Sequence, residues 1–259
     1  MKTPALRPFL DAIGHVVHHL NTIAVGLSAV ESGTATKPAT MDISWHPTNL
    51  KTSSRSARTF ALNATVVFTA EELCAYVDVV LGAPSFQTLK LPTDPDRVQK
   101  LSALSVFLGL PEDHLLQGPL LLLHWRNRII HRRSNASLTR AQRDSFIEAT
   151  DTLGADYKNL NPVLVLDHFR DKTPTLKDVS SLVAMTINCV KRIEAAIPKP
   201  KSAAEVLEWI AHLGLSEEFD RVKRVSAAQP NPEQGVAGFF ATHCPELQDA
   251  YALYGAGAV

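Results

Sequence analysis

The chain has 259 residues, 45 % hydrophobic and 20 % charged, which is ordinary for a globular protein and excludes a disordered or fibrous one. That length suits one large domain, or one domain with a smaller appendage. Lys plus Arg and Asp plus Glu balance at 26 each, so the formal net charge is zero and any nucleic-acid affinity has to come from a local patch.

In chain order, residues 5–30 carry apolar positions near helical spacing. Asp11 and the histidines 15, 18 and 19 interrupt the apolar run, which speaks against a signal peptide. No uninterrupted apolar stretch approaches the roughly 18 to 20 residues that span a bilayer. The expectation is a soluble, cytoplasmic protein without a membrane partner. "SGTATKPAT" reads as a loop. From Ser54 to Leu81 the length suits a buried helix, although "ATVVFT" within it is locally strand-like.

Explicit punctuation follows. "TDPDR" predicts Asp94 as an N-cap ahead of Pro95, with Gly109 closing that helix. Gln117-Gly118-Pro119 predicts a fresh helix with Pro119 at its first position. Thr139 and Gln142 form a capping-box pattern. "NP" at 161–162 and "TP" at 173–174 repeat the cap-then-proline signal, and residues 175–197 read as an amphipathic helix. "PKPK" at 198–201 is a stiff, basic linker. Beyond it Ser202 and Glu205 pattern as a capping box and Gly214 as a stop, with short helices expected in "LSEEFDRVKRV" and "GVAGFFATHCPELQDAYALYG". Internal repeats and hairpin-type alternation are missing. The fold expected is all-α: a helical bundle over 1–197 and a smaller C-terminal helical region over 198–259.

Chemistry concentrates in one segment. Between His114 and Asp144 there is no Asp or Glu, yet Arg126, Arg128, Arg132, Arg133, Arg140 and Arg143 stand there with His124 and His131. The planar fork of arginine suits phosphate. Cations at a helix C-terminus are favoured by the macrodipole, by roughly 0.3 to 1 kcal/mol each, and this accounts for two or three of them. Six without a neighbouring acid point to local anion binding. At about 100° per residue Asn127 and His131 share a helix face, and the long side chain of Arg126 can swing back toward it. An imidazole, a carboxamide and a guanidinium on one face can carry out acid–base chemistry on a phosphodiester without a metal.

"LLLLHWRNRIIH" resembles the signature of HEPN domains, small α-helical bundles whose motif is Arg, commonly followed by a polar residue, then His after four to six intervening residues. Here four residues separate Arg126 from His131, Asn127 holds the polar position, and a leucine-rich helix precedes them. The resemblance implies metal-independent RNA cleavage in which the ribose 2′-hydroxyl attacks the adjacent phosphate. By carry-over, His131 is the acid–base group, Arg126 the phosphate stabiliser and Asn127 an orienting residue. Arg128, Arg132 and Arg133 are the expected further RNA contacts. A homodimer with a composite site is implied as well, and a toxin or phage-defence role would bring a separate antitoxin or regulator. Arg132 departs from the small residue that often follows the family's His, and the chain is longer than a minimal HEPN domain. Some family members are inactive binding modules, so a catalytically silent RNA- or protein-binding module is the alternative. A third reading is a helical scaffold whose basic cluster docks an acidic protein.

Other candidates read as structural. His15, His18 and His19 have metal-compatible spacing without a completing carboxylate or cysteine, and are expected to be partly buried helix residues. No metal or cofactor is expected. Cys74, Cys189 and Cys244 read as small core thiols in a reducing compartment, with the adjacent His243–Cys244 pair a weak nucleophile candidate. Arg55 and Arg58 read as a solvated face, and Trp45 as a loop anchor.

Overall fold

The structure is a computed structural model that describes residues 3–40, 42, 44–131, 133–245 and 247. Among the described residues it is all helix and no strand: α1 (Leu6–Glu31), α2 (Leu50–Leu81), a short 3₁₀ turn (Pro84–Phe86), α3 (Arg97–Phe107), α4 (His114–Ile130), α5 (Arg140–Glu148), α6 (Thr150–Asp156), α7 (Pro162–Asp171), α8 (Leu176–Ala196), α9 (Ala203–His212), α10 (Ser216–Ser226) and α11 (Pro232–His243). Residues 9–74 and 111–189 form one compact unit, and the described remainder forms a second. The "PKPK" segment lies inside that second unit.

In the first unit, α2 starts at Leu50, earlier than expected. "ATVVFT" is helical because Ala61, Leu62, Thr65, Val66, Thr69 and Ala70 are buried at helical spacing, and burial outweighs the β-propensity of Val and Thr. The Thr65 hydroxyl donates to Ala61 O at 2.9 Å, within the same helix. α4 starts at His114, not Pro119: Asp113 caps it by accepting from Leu115 N at 3.0 Å, and Pro119 lies inside the helix. A proline in a helix costs a backbone bond. Here the run from Leu116 to Leu123, buried throughout, holds the segment helical all the same. Gly118 is needed for close approach, since a Cβ there would lie 2.7 Å from Met185 Sδ and 2.9 Å from Met185 Cβ on α8. Gly118→Val is therefore expected to lower the unfolding free energy by about 1–3 kcal/mol, the cost of overpacking a full core. Urea denaturation measures it, and an unchanged midpoint would show that the two helices have room to spare.

Two more caps lie two residues beyond their expected positions. Asp96, not Asp94, caps α3, accepting from Gln99 N at 2.8 Å while the Gln99 side chain accepts from Asp96 N at 2.9 Å. Thr175, not Thr173, caps α8: its hydroxyl accepts from Asp178 N, and the Asp178 carboxylate accepts from Thr175 N at 2.8 Å. In both cases the partner three residues on decides the cap, and the proline only precedes it. The Thr139–Gln142 box and the Asn161–Pro162 cap stand as expected.

The second unit holds α3 and α9–α11. Gly109 (φ 64°) and Gly214 (φ 71°) end α3 and α9 in the left-handed conformation that glycine adopts without strain. Ser202 caps α9, but the Glu205 carboxylate reaches Lys201 N at 2.9 Å and not Ser202 N. Phe219, Phe239 and Phe240 form one aromatic cluster between α10 and α11. Glu194, 3 % exposed, accepts from Thr3 N, the Thr3 hydroxyl and Tyr76 OH, which satisfies a buried carboxylate with three donors.

α1 is by length and composition apolar enough to cross a membrane, although only 11 % of its most apolar window is buried. Its polar interruptions break the apolar run but are diluted when averaged over a whole helix. His15, His18 and His19, expected to be partly buried, are exposed on it.

Candidate functional site

The site stands where α4 leaves the core. Leu120, Leu121, Leu122, Leu123 and Trp125 are at most 1 % exposed and lock the helix in place. Arg126, Asn127 and Arg128 are then half-buried, and Ile130 and His131 are exposed. His131 is the C-cap. Its backbone is extended (φ −110°, ψ 93°), and its N–H donates to Asn127 O at 2.9 Å. That bond sets His131 one turn from Asn127, as the four-residue spacing predicts.

Arg126 is held from two sides. Its Nε donates to Glu71 Oε1 at 2.8 Å, and its Nη2 lies 2.7 Å from the same oxygen. Its Nη1 donates to Asn127 Oδ1 at 3.2 Å. Asn127 therefore touches Arg126 directly. Glu71 comes from α2 and was not singled out in the sequence. It lies 55 residues away from Arg126, and no local motif marks it; only the tertiary fold brings the two together. A guanidinium has five N–H groups. Among the described residues, these contacts take one N–H each from Nε, Nη1 and Nη2 and leave one on each of Nη1 and Nη2.

The other arginines disperse. Arg128 Nε donates to Ala136 O at 2.8 Å, Nη1 faces Phe169 O at 3.4 Å, and the guanidinium lies 4.0 Å from the centre of the Phe169 ring. Burial pushes its pKa down. It pins the chain after α4 onto the end of α7. Arg132 lies outside the described residues. Arg133 and Arg143 are exposed, and exposed Arg140 lies 3.7 Å from Asp144 one turn on. A segment free of acids in sequence thus meets Glu71 and Asp144 in space.

The remaining candidates separate as follows. His168 Nδ1 lies 2.8 Å from Asp178 Oδ2, an imidazole–carboxylate pair the sequence did not single out. Arg58 pairs with Glu31 at 3.5 Å, Arg55 is exposed, and Trp45 is half-buried. Cys189 and Cys244 are buried and Cys74 is half-buried, and burial pushes the Cys244 thiol up to about 11, so it is no thiolate nucleophile at neutral pH. No group of three or more His, Cys, Asp or Glu among the described residues is arranged to hold a metal ion. Comparison of the chain with protein-family models, with curated proteins and with solved structures finds no match.

Proposed function

We propose that the chain is a HEPN-type, metal-independent endoribonuclease, acting as a homodimer in a toxin or phage-defence role. The observation that carries this reading is the end of α4, where Arg126 and Asn127 are hydrogen-bonded to each other and exposed His131 stands one turn beyond them. The His131 imidazole takes the proton of a ribose 2′-hydroxyl, whose oxygen attacks the adjacent phosphorus. The P–O5′ bond breaks, leaving a 2′,3′-cyclic phosphate and a 5′-hydroxyl. The proton for that leaving oxygen comes from a second imidazole, which a homodimer supplies as the other copy's His131. Arg126 neutralises the charge that builds on the phosphate oxygens, with Asn127 fixing Nη1. Exposed Arg133 and Arg143 extend the cationic surface for the RNA backbone.

The test is incubation of purified protein with mixed cellular RNA in EDTA, followed by end-group analysis. Fragments with 2′,3′-cyclic phosphate ends are the expected result. RNA that stays intact over a range of substrates and protein concentrations defeats the catalytic reading.

A second reading, a silent module that binds RNA or a protein, is favoured by the neutralisation of Arg126 by Glu71 and by the packing role of Arg128. It gives RNA affinity that falls steeply with salt and no turnover.

A further inference from the structure

The arrangement around Arg126 has an uneven exposure. The Arg126 side chain is 14 % exposed and that of Glu71 is 40 %. The carboxylate is thus the more accessible half of the pair, and an anion approaching the guanidinium meets a neutralised group. A guanidinium offers a planar oxyanion two paired edges, the Nε/Nη2 side and the Nη1/Nη2 end. Glu71 holds the first of these through a single oxygen, Oε1, which both nitrogens share. Two phosphate oxygens fit that edge better, one for each nitrogen. The second edge is partly committed, because Nη1 donates to Asn127 Oδ1.

We infer that Glu71 is an internal competitor for phosphate: its carboxylate occupies the Nε/Nη2 edge of Arg126, and a nucleic-acid phosphate binds there by displacing it. The inference rests on the reading of Arg126 as the phosphate-facing group of the site. Displacement leaves no buried charge unpaired: the phosphate takes the carboxylate's place on the guanidinium, and the carboxylate, 40 % exposed, is the half that water can reach. The buried guanidinium stays in place, held by Asn127, while the more exposed carboxylate turns to water. The bare chain then keeps Arg126 neutralised, and the cation becomes available only where a phosphate is presented with enough additional contacts to win the exchange.

The probe is a short single-stranded DNA oligonucleotide, which lacks the 2′-hydroxyl and is not cleaved. Its affinity is read by fluorescence anisotropy at low salt for wild type, Glu71→Gln, Glu72→Gln and the double variant Glu71→Gln/Arg126→Gln. Glu71→Gln keeps the shape and an acceptor for Arg126 but removes the charge. It is expected to bind about two- to fivefold tighter than wild type, the scale set by a partly exposed ion pair. Glu72→Gln removes the same charge from the next residue and controls for net charge, so its gain is expected to be smaller. The gain of Glu71→Gln is expected to vanish when Arg126 is also replaced. Equal or weaker binding by Glu71→Gln, an equal gain in Glu72→Gln, or a gain that survives the loss of Arg126 would each overturn the inference. RNA cleavage is scored in parallel. Absence of cleavage with the expected binding order removes the catalytic reading and leaves the competition by Glu71 standing. Cleavage with the wrong binding order does the reverse.

Discussion

His131→Ala is expected to abolish RNA cleavage while leaving the thermal unfolding transition where it is in the wild type. The side chain is exposed at the end of α4, so its removal opens no cavity. What ties residue 131 to the fold is backbone: its N–H donates to Asn127 O at 2.9 Å, and its carbonyl accepts from Ser134 N at 2.8 Å. Alanine keeps both bonds. A positioned acid–base group contributes about 10²- to 10⁴-fold in rate, so the loss should exceed any change in RNA affinity by far. Cleavage that persists in this variant with chelator present would sink the mechanism. A variant that loses activity only together with its folded state would assign His131 to the structure instead.

Trp125→Ala is expected to have the largest effect on stability, a loss of about 3–5 kcal/mol, as for other large aromatic residues cut out of a core. The indole is 1 % exposed and meets the Phe169 ring edge-on at 5.5 Å. A second partner of that ring is Arg128, whose guanidinium lies 4.0 Å from its centre. One substitution therefore removes a core side chain and loosens the ring on which the chain after α4 is fastened. Among the described residues nothing pairs with Trp125 Nε1, so packing alone holds the indole. Trp125→Phe should cost much less than alanine, because it keeps an aromatic ring in the site, whereas both variants equally remove a buried N–H without a partner, which is unfavourable by about 1–3 kcal/mol. Chemical denaturation of the two variants gives the comparison. A loss below about 1 kcal/mol for alanine would contradict a filled site at this position.

Several helix ends were legible from short local patterns. Thr139 with Gln142, Asn161 with Pro162, and the glycines at 109 and 214 all stand where their patterns put them. Proline misled where it was read without its partner. Asp96 has a glutamine three residues on and Asp94 does not, so the cap forms at Asp96. Pro119 was read as a beginning because its ring suits a first turn. The buried leucines around it make it an interior residue instead, at a point where Gly118 brings α4 against Met185.

The chain by itself determined that the protein is all-α and that His131 follows Asn127 by one turn of backbone at a helix end. Both follow from contacts within a few residues, which a fixed rise and turn per residue dictate. Only the tertiary structure decided which of the arginines keep their charge available. Glu71 is far from Arg126 in the chain and pairs with it only in the folded chain, while Phe169 and Ala136 take up Arg128. Electrostatic partners are set by distance through space, and a run of sequence without acids says nothing about the acids that folding brings to it.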